Sequence, residues 1–264
     1  MRDLFDLLCR TLVTAWGYFV FATGCVLWGI LGIPLTLLLS RFWPGARDRF
    51  GDGTQILLGA YIRRLPFIKL HVDQSRRLAD GPRVLVSNHQ SFLDPIVMLS
   101  LEPRLSGPAR GYMFRVPIVG SALKLGRFFL TDSGEPAPLD RMRQGVQEAL
   151  DRGGTLLFYP EGHRTRTGEI GPFHHGAFRM AVEYQLPIQP VVTDGLNRVL
   201  PPGSLILKKL GKNPVRIRYL DPVEPPYGEG PLRRTVHQLS QRVRASMVEE
   251  LKRLRGERES AGGE

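Results

Sequence analysis

The chain begins with a long apolar stretch, because from Thr11 to Ser40 there is no charged residue and no histidine. One straight helix over this stretch would be about 45 Å long, whereas the hydrocarbon core of a bilayer is about 30 Å thick. The pattern therefore predicts a membrane-anchoring helix that either tilts or breaks near Gly29, Gly32 and Pro34 and returns as a re-entrant hairpin.

A soluble core helix and a secretory signal peptide are the two alternatives for this stretch. Its apolar residues cover every face of a helix, which suits lipid better than one-sided packing in a soluble core. It is too long for a signal peptide, and Asp3 and Asp6 dilute the positive charge expected at the start of one. Basic residues flank the stretch on both sides, which favours placement of the main domain that follows it on the cytoplasmic face of the membrane.

After about residue 60 the pattern changes to short apolar runs that alternate with helical periods. The predicted strands are Phe67–Asp73, Arg83–Ser87, Gly111–Phe114, Gly126–Thr131, Thr155–Tyr159, Ile188–Thr193 and Val215–Leu220. The predicted helices between them are Pro95–Leu101, Asp140–Arg152 and Gly176–Tyr184. This alternation indicates an α/β fold with a mixed, largely parallel central sheet flanked by helices.

An amphipathic helix is predicted from Pro231 to about Arg255, with apolar residues at steps of three and four. A surface helix packed on the domain is the favoured interpretation, and a helix lying on the membrane is the alternative. We therefore expect a membrane-anchoring region at residues 1–60, an α/β domain at residues 61–255 and a flexible tail at residues 256–264.

The chain is strongly basic, with 36 lysines and arginines against 25 acidic residues and a formal charge of +11. This excess favours a polyanionic partner, which is nucleic acid, an anionic membrane or a phosphorylated small molecule. The basic residues are spread along the chain and no zinc-finger or RNP-type signature is present, so we expect no nucleic acid partner. The two cysteines, Cys9 and Cys25, offer neither metal-ligand spacing nor a disulfide framework.

The first candidate for chemistry is the segment Arg83–Pro95, in which an apolar strand runs directly into Asn88 and His89. Ligands of α/β sheets gather at this carboxyl edge of the strands. Asp94 and Pro95 suit the start of the next helix, so His89 and Asp94 are expected on either side of one short loop. A carboxylate that accepts from one ring nitrogen leaves the other free to take a proton. The alternative is that Asp94 only caps the helix.

The second candidate is Thr155–Gly168, another apolar strand that opens into a basic loop. The planar guanidinium of Arg164 suits a phosphate, and Gly162 permits a close approach of the backbone. A solvated loop with surface salt bridges is the alternative interpretation.

These two segments resemble motifs of the glycerolipid acyltransferases, the family that includes 1-acylglycerol-3-phosphate acyltransferase. The run Asn88-His-Gln-Ser-Phe-Leu-Asp94 resembles the first motif, and Phe158-Tyr-Pro-Glu-Gly-His-Arg-Thr165 is similar to the family's E-G-T-R-S motif. Pro172–Ala177 and Leu186–Val191 resemble the later blocks, so the likeness runs in order from about Pro66 to Leu220.

The resemblance implies a fatty acyl transfer from acyl-CoA or acyl-carrier protein to the free hydroxyl of a lysophospholipid. His89, oriented by Asp94, would act as general base without an acyl-enzyme, a metal or a further cofactor. The acceptor's phosphate end would bind at Glu161, Gly162, Arg164 and Thr165. The second family block usually carries a lysine that Gly111–Gly120 lacks, and Arg115 and Arg127 are the candidates to replace it.

The leading acceptor by this resemblance is 1-acyl-sn-glycerol-3-phosphate, which would give phosphatidic acid. Another lysolipid, such as a lyso-ornithine lipid or a different lysophospholipid, is the alternative within the class. A lipid ester hydrolase that uses His89 to activate water is the alternative from another class, although no G-x-S-x-G elbow supports a serine lipase. A non-catalytic binder of anionic membranes is the third hypothesis.

Overall fold

The computed structural model describes residues 2–102, 104–116, 119–126, 128–131, 139–226 and 231–261. In chain order its elements are α1 (Arg2–Leu39), α2 (Ala46–Arg64), β1 (Ile68–Asp73), β2 (Arg83–Ser87), α3 (Asp94–Leu101), β3 (Leu105–Ser106), β4 (Pro108–Arg110), α4 (Gly111–Arg115), α5 (Val119–Leu125), β5 (Phe129–Thr131), α6 (Leu139–Leu150), β6 (Thr155–Phe158), α7 (Gly176–Glu183), β7 (Ile188–Asp194), α8 (Leu196–Val199), β8 (Asn213–Tyr219) and α9 (Leu232–Ala261).

The chain divides into two compact units that interleave along the sequence. Unit 1 comprises Met1–Leu65 and Ile96–Leu156, and unit 2 comprises Pro66–Pro95 and Leu157–Glu264. Residues 96–156 therefore group with the N-terminal helices, whereas the sequence pattern places them inside one continuous α/β domain.

In unit 1 the apolar N-terminal segment forms one continuous helix, α1, which runs through Pro34 to Leu39. The predicted alternative of a break near Gly29, Gly32 and Pro34 is wrong, because the chain reverses only in the turn at residues 40–45. Proline removes one backbone hydrogen bond, and a long helix can bend at that point without ending. Among the described helices, α1 is the one long and apolar enough to cross a membrane.

Helix α2 runs back along α1 at close range. Trp28 stacks on Phe50 with ring centroids 5.2 Å apart, and its indole N–H donates to Thr54 Oγ1 at 2.9 Å. A Cβ added at Gly32 would lie 2.9 Å from the Phe50 ring, and one added at Gly53 would lie 2.9 Å from the Trp28 ring. Gly32 therefore allows the two helices to pack and does not interrupt α1.

The rest of unit 1 contains short parallel strand pairs, β4 with β5 and β3 with the first residues of β6. The prediction of a strand at Gly111–Phe114 is wrong, since these residues form helix α4. The preceding residues, Pro108–Arg110, take the strand role by pairing with Phe129–Thr131. A run of four apolar residues is too short for its periodicity to separate strand from helix, so the pairing partner decides.

Unit 2 is built on a sheet with the strand order β1-β8-β7-β2, followed by β6, whose residues Leu157 and Phe158 belong to this unit. Strand β1 pairs with β8 and β2 with β7 in parallel, whereas β7 and β8 pair antiparallel. Every residue of β2 and β7 is buried, as expected for parallel strands covered on both faces. The predicted α/β fold with a mixed, largely parallel sheet is confirmed.

Helix α9 packs on this sheet through the apolar face that its sequence pattern indicates. The buried residues are Val236, Leu239, Val243, Met247, Leu251 and Leu254, and the face contacts β7 and α7. The favoured interpretation of a packed surface helix is therefore confirmed over a membrane-lying one.

The end of α9 differs from the prediction of a flexible tail from residue 256. The helix continues past Arg255 to Ala261, and residues 262–264 lie outside the described residues. Arg258 in the last turns donates to the Asp194 carboxylate at 2.8 Å, so a contact with β7 extends the helix beyond its apolar stripe.

Candidate active site

The His89 loop, which we define as Asn88–Leu93, leaves the carboxyl end of β2 and is tied to the end of β7 and to the segment that follows β7 along the chain. The Asn88 amide donates to the Thr193 carbonyl at 2.9 Å and accepts from the Thr193 N–H at 2.8 Å. The Ser91 hydroxyl donates to the Leu200 carbonyl at 2.7 Å. These side chains are buried, so short polar residues replace the strand pairing that ends at Ser87 and hold the loop in one path.

The predicted pairing of His89 with Asp94 is present in the structure. His89 Nδ1 lies 2.7 Å from Asp94 Oδ2, and the same oxygen accepts from the backbone N–H groups of Gln90 at 2.5 Å and Ser91 at 2.7 Å. All three donors therefore meet at the single atom Oδ2. Among the described residues, none hydrogen-bonds to Asp94 Oδ1.

This geometry determines which nitrogen of His89 can exchange a proton. Asp94 is 1% exposed and the His89 side chain is 19% exposed. Because Nδ1 faces a carboxylate, we assign the proton of the neutral ring to Nδ1, which leaves Nε2 as the acceptor. The pair therefore has the arrangement of a general base and the group that orients it.

Tyr159 forms one wall of the site, a contact that the sequence analysis missed. Its ring stacks on the His89 ring with centroids 4.2 Å apart and an angle of 22°. Burial, and secondarily the charge of Asp94, raise the pKa of Tyr159 well above its usual value, so the phenol stays neutral. Its position inside the second motif was the available signal, but stacking between two distant segments has no signature in the sequence.

Glu161 and Thr165, both predicted to bind the acceptor, lie buried beside the His89 loop. Glu161 is 2% exposed, and its two oxygens accept from the backbone N–H groups of His89 and Gly171, each at 3.0 Å. The Thr165 N–H donates to the His89 carbonyl at 2.8 Å. The Thr165 hydroxyl accepts from the Gly168 N–H at 3.1 Å. Both side chains are thus engaged inside the protein.

The other predicted acceptor-binding residues are more accessible. Arg164 is exposed and has no hydrogen bond or ion pair to any residue that the structure describes. Gly162 has a φ of +70°, and a Cβ there would lie 3.1 Å from the His174 ring. Arg115 is exposed at the end of α4 in unit 1, and Arg127 lies outside the described residues.

No cluster suited to a metal ion accompanies this site in the part of the chain that the structure describes, where no three His, Cys, Asp or Glu side chains form such a group.

Comparison with known proteins places these residues in a recognised domain. The family model described as Acyltransferase matches residues 69–194, a range that includes His89, Asp94 and the Glu161–Thr165 segment.

Relatives of known name support the same assignment. A chloroplastic 1-acyl-sn-glycerol-3-phosphate acyltransferase of Brassica napus is 32% identical over 66% of this chain and 50% of its own length. Its counterpart from Arabidopsis thaliana is 31% identical over 69% of this chain and 51% of its own length. The chain thus spans about half the length of these relatives. The 1-acyl-sn-glycerol-3-phosphate acyltransferase of Saccharomyces cerevisiae is 27% identical over 88% of this chain and 74% of its own length.

The fold is also that of a solved structure. The crystal structure of the 1-acyl-sn-glycerophosphate (LPA) acyltransferase PlsC from Thermotoga maritima matches with a TM-score of 0.77 at 20% identity, over 97% of this chain and 98% of that one. Family model, relatives and fold agree with the motifs around His89 and Glu161, and the chain belongs to the glycerolipid acyltransferase family.

Proposed function

We propose that this chain transfers a fatty acyl group from a thioester donor to the free hydroxyl of a lysophospholipid. The leading acceptor is 1-acyl-sn-glycerol-3-phosphate, with phosphatidic acid as product, because the relatives described above carry that acceptor in their names. The donor is acyl-CoA or acyl-carrier protein. The observation that carries the proposal is the His89–Asp94 pair, held at 2.7 Å at the end of a buried strand.

The reaction needs a base but no nucleophile from the protein. His89 Nε2 takes the proton from the acceptor hydroxyl as that oxygen attacks the thioester carbonyl, which forms the new ester bond through a tetrahedral intermediate. The carbon–sulfur bond then breaks, and the leaving thiolate receives the proton from the imidazolium. Asp94 stabilises the imidazolium through Nδ1, and the stacked Tyr159 ring limits rotation of the imidazole.

Arg164 is proposed as the main partner of the acceptor's phosphate. An exposed guanidinium that no described residue contacts by a hydrogen bond or ion pair has donors available to a ligand, and its planar fork matches two phosphate oxygens. Gly162 shares the same loop, where its left-handed backbone turns the chain beside His174.

Glu161 is proposed as a positioning residue, which revises its expected contact with the phosphate. Both carboxylate oxygens already accept backbone N–H groups, and a second negative charge near a phosphate would repel it. The bond to the His89 N–H holds the backbone of the base itself, so Glu161 acts on the reaction through His89.

Membrane anchoring is proposed for unit 1. The face of α1 that α2 leaves uncovered exposes large apolar side chains, among them Leu4, Phe5, Phe19, Leu31 and Leu38. Such a surface is costly in water and stable in a bilayer, where the lysophospholipid also resides. We place the catalytic residues on the cytoplasmic face, where CoA and carrier-protein thioesters are delivered.

The first prediction concerns the reaction and its base. Full-length protein supplied with labelled acyl-CoA or acyl-carrier protein should acylate 1-acyl-sn-glycerol-3-phosphate faster than lysolipids with other headgroups. His89→Ala should lower turnover by at least about 10²-fold, the usual contribution of a general base. The exposed His71 on β1 provides a matched control, and His71→Ala should remain near wild type. Release of free fatty acid without a diacyl product would instead identify a hydrolase.

The second prediction separates binding from chemistry. Arg164→Ala should raise the KM for the acceptor by about 10-fold or more and leave the KM for the donor nearly unchanged, because a charged hydrogen-bond pair to phosphate is lost. Arg242→Ala, which removes an exposed arginine from α9, controls for a change in net charge. A fall in kcat with unchanged acceptor KM would argue against a phosphate contact.

The third prediction tests the positioning role of Glu161. Glu161→Gln keeps one acceptor oxygen but sets an amide N–H₂ against a backbone N–H, so kcat should fall by about 10-fold or more with little change in acceptor KM. Glu161→Asp, which keeps two acceptor oxygens on a shorter side chain, should recover part of kcat. An increase confined to the acceptor KM would instead support the sequence-based prediction that Glu161 contacts the phosphate end of the acceptor.

The fourth prediction concerns anchoring. Membranes that contain the full-length protein should retain it after high salt and after alkaline carbonate, and release it in detergent, because apolar contact is insensitive to ionic strength. Release by salt alone would show that charge, and not α1, holds the protein to the membrane.

A further inference from the structure

The loop between α8 and β8 in unit 2 exposes an apolar tip. Leu205 is 77% exposed and Ile206 is 36% exposed, whereas the next residue, Leu207, is buried. Leu205 is the most exposed of the large apolar side chains described in unit 2. Removal of apolar surface from water is favourable, so contact with an apolar phase would stabilise this exposed leucine and the isoleucine beside it.

The tip is held in this shape by its own hydrogen bonds. The Ser204 hydroxyl donates to the Ile206 carbonyl at 2.6 Å and accepts from the Ile206 N–H at 3.2 Å. The Lys208 N–H donates to the Val199 carbonyl at 3.0 Å, which closes the base of the loop. The exposure of Leu205 is therefore a consequence of an ordered turn.

Positive charge follows the apolar tip directly. Lys208, Lys209 and Lys212 are exposed, and the segment from residue 200 to residue 212 contains no acidic residue. Apolar side chains next to lysines are the composition of segments that lie on an anionic bilayer surface, where the side chains enter the acyl boundary and the lysines contact headgroups.

The loop is linked to the active site by a direct contact. Ser91, whose backbone N–H donates to Asp94, also donates its hydroxyl to the carbonyl of Leu200 at the start of this loop. Phe92, the next residue of the His89 loop, is 43% exposed. The loop that exposes the apolar tip is thus joined at its first residue, Leu200, to the loop that carries His89.

We propose that residues 203–212, the docking loop, form a membrane contact additional to α1. The loop inserts Leu205 and Ile206 into an anionic bilayer and sets Lys208, Lys209 and Lys212 against its headgroups. A lipid acceptor then leaves the bilayer beside the loop that carries His89. This last step rests on the proposed acyl transfer, whereas insertion of the loop does not.

An acidic protein, including a carrier protein that delivers the acyl group, is the other class of partner that lysines attract. The apolar tip favours the bilayer, since Leu205 and Ile206 are exposed side by side and a protein partner would need a pocket that matches both side chains. The experiment below treats a protein partner as a contrary outcome.

The test places a fluorophore at the tip of the full-length chain. In a background with Cys9→Ser and Cys25→Ser, Leu205→Cys is labelled with an environment-sensitive dye, and the protein is reconstituted into phosphatidylcholine vesicles with or without phosphatidylglycerol. We expect a blue shift and quenching by brominated lipids, both stronger with phosphatidylglycerol. The same label at Val72→Cys, another exposed apolar position of unit 2, should remain water-exposed.

Substitutions then separate the roles of charge and apolar surface. Lys209→Glu with Lys212→Glu should weaken the quenching at position 205 in anionic vesicles and leave it unchanged in neutral ones. Leu205→Ser with Ile206→Ser should raise the apparent KM for a long-chain acceptor in vesicles by about 10-fold, since its delivery depends on apolar contact. The KM for a short-chain acceptor dissolved in water should not change.

Two outcomes would contradict the proposal that the docking loop enters the bilayer. A label at position 205 that remains water-exposed in every vesicle excludes insertion, and a shift produced by purified acyl-carrier protein without vesicles assigns the loop to a protein partner. The fluorescence result does not depend on turnover. A protein that inserts the loop but transfers no acyl group would therefore contradict the proposed function and retain the docking loop.

Discussion

The oxygen Asp94 Oδ2 accepts hydrogen bonds from the His89 ring and from the backbone N–H groups of Gln90 and Ser91. Burial of a carboxylate is costly unless donors replace the water that it loses, and here three donors converge on one atom. Two of those donors set the path of the loop, and the third sets the orientation of the imidazole. The ring therefore cannot turn away from Asp94 without loosening the group that also shapes its backbone.

A second buried carboxylate, Glu161, extends the same principle to a distant segment of the chain. It accepts the N–H of His89 on one oxygen and that of Gly171 on the other. Arg244 of α9 in turn donates to the carbonyl of Gly171 at 2.6 Å, so the helix that covers the sheet also supports the site. Asp94 and Glu161 thus accept hydrogen bonds from the protein's own backbone, whereas the guanidinium of Arg164 is exposed to solvent.

Each of the two units presents apolar surface to the solvent in a different form. In unit 1 it lies along a helix, α1, which is long and apolar enough to cross a bilayer. In unit 2 its most exposed point is Leu205, which lies beside Ile206 in one turn that lysines follow. A long apolar helix resists extraction from the membrane because it buries a large apolar area in the bilayer. A small apolar tip followed by lysines adds a local contact whose strength depends on the charge of the lipid headgroups. The proposed acyl transfer to a membrane lipid would use both contacts.

The sequence by itself determined the class of fold, most strand positions and the pairing of His89 with Asp94. Those features depend on short-range order: a buried strand reads as a continuous apolar run, and a loop of a few residues brings its ends together in nearly any fold. The motif blocks added the family, because their order and spacing are specific. The position of α1 was predicted for the same reason, since its apolar character does not depend on a partner.

Only the tertiary structure decided what each polar residue of the site contacts. Glu161 and Thr165 resemble ligand-binding residues in sequence, yet they lie buried against the backbone of the His89 loop, more than seventy positions away along the chain. The stacking of Tyr159 on His89, the helix at Gly111–Arg115 and the packing role of Gly32 have the same origin. Each of these features depends on which distant segment of the chain lies beside the residue in the folded protein. The type of side chain does not determine that neighbour, because a buried polar or apolar group can be satisfied by any suitable partner that the fold brings close.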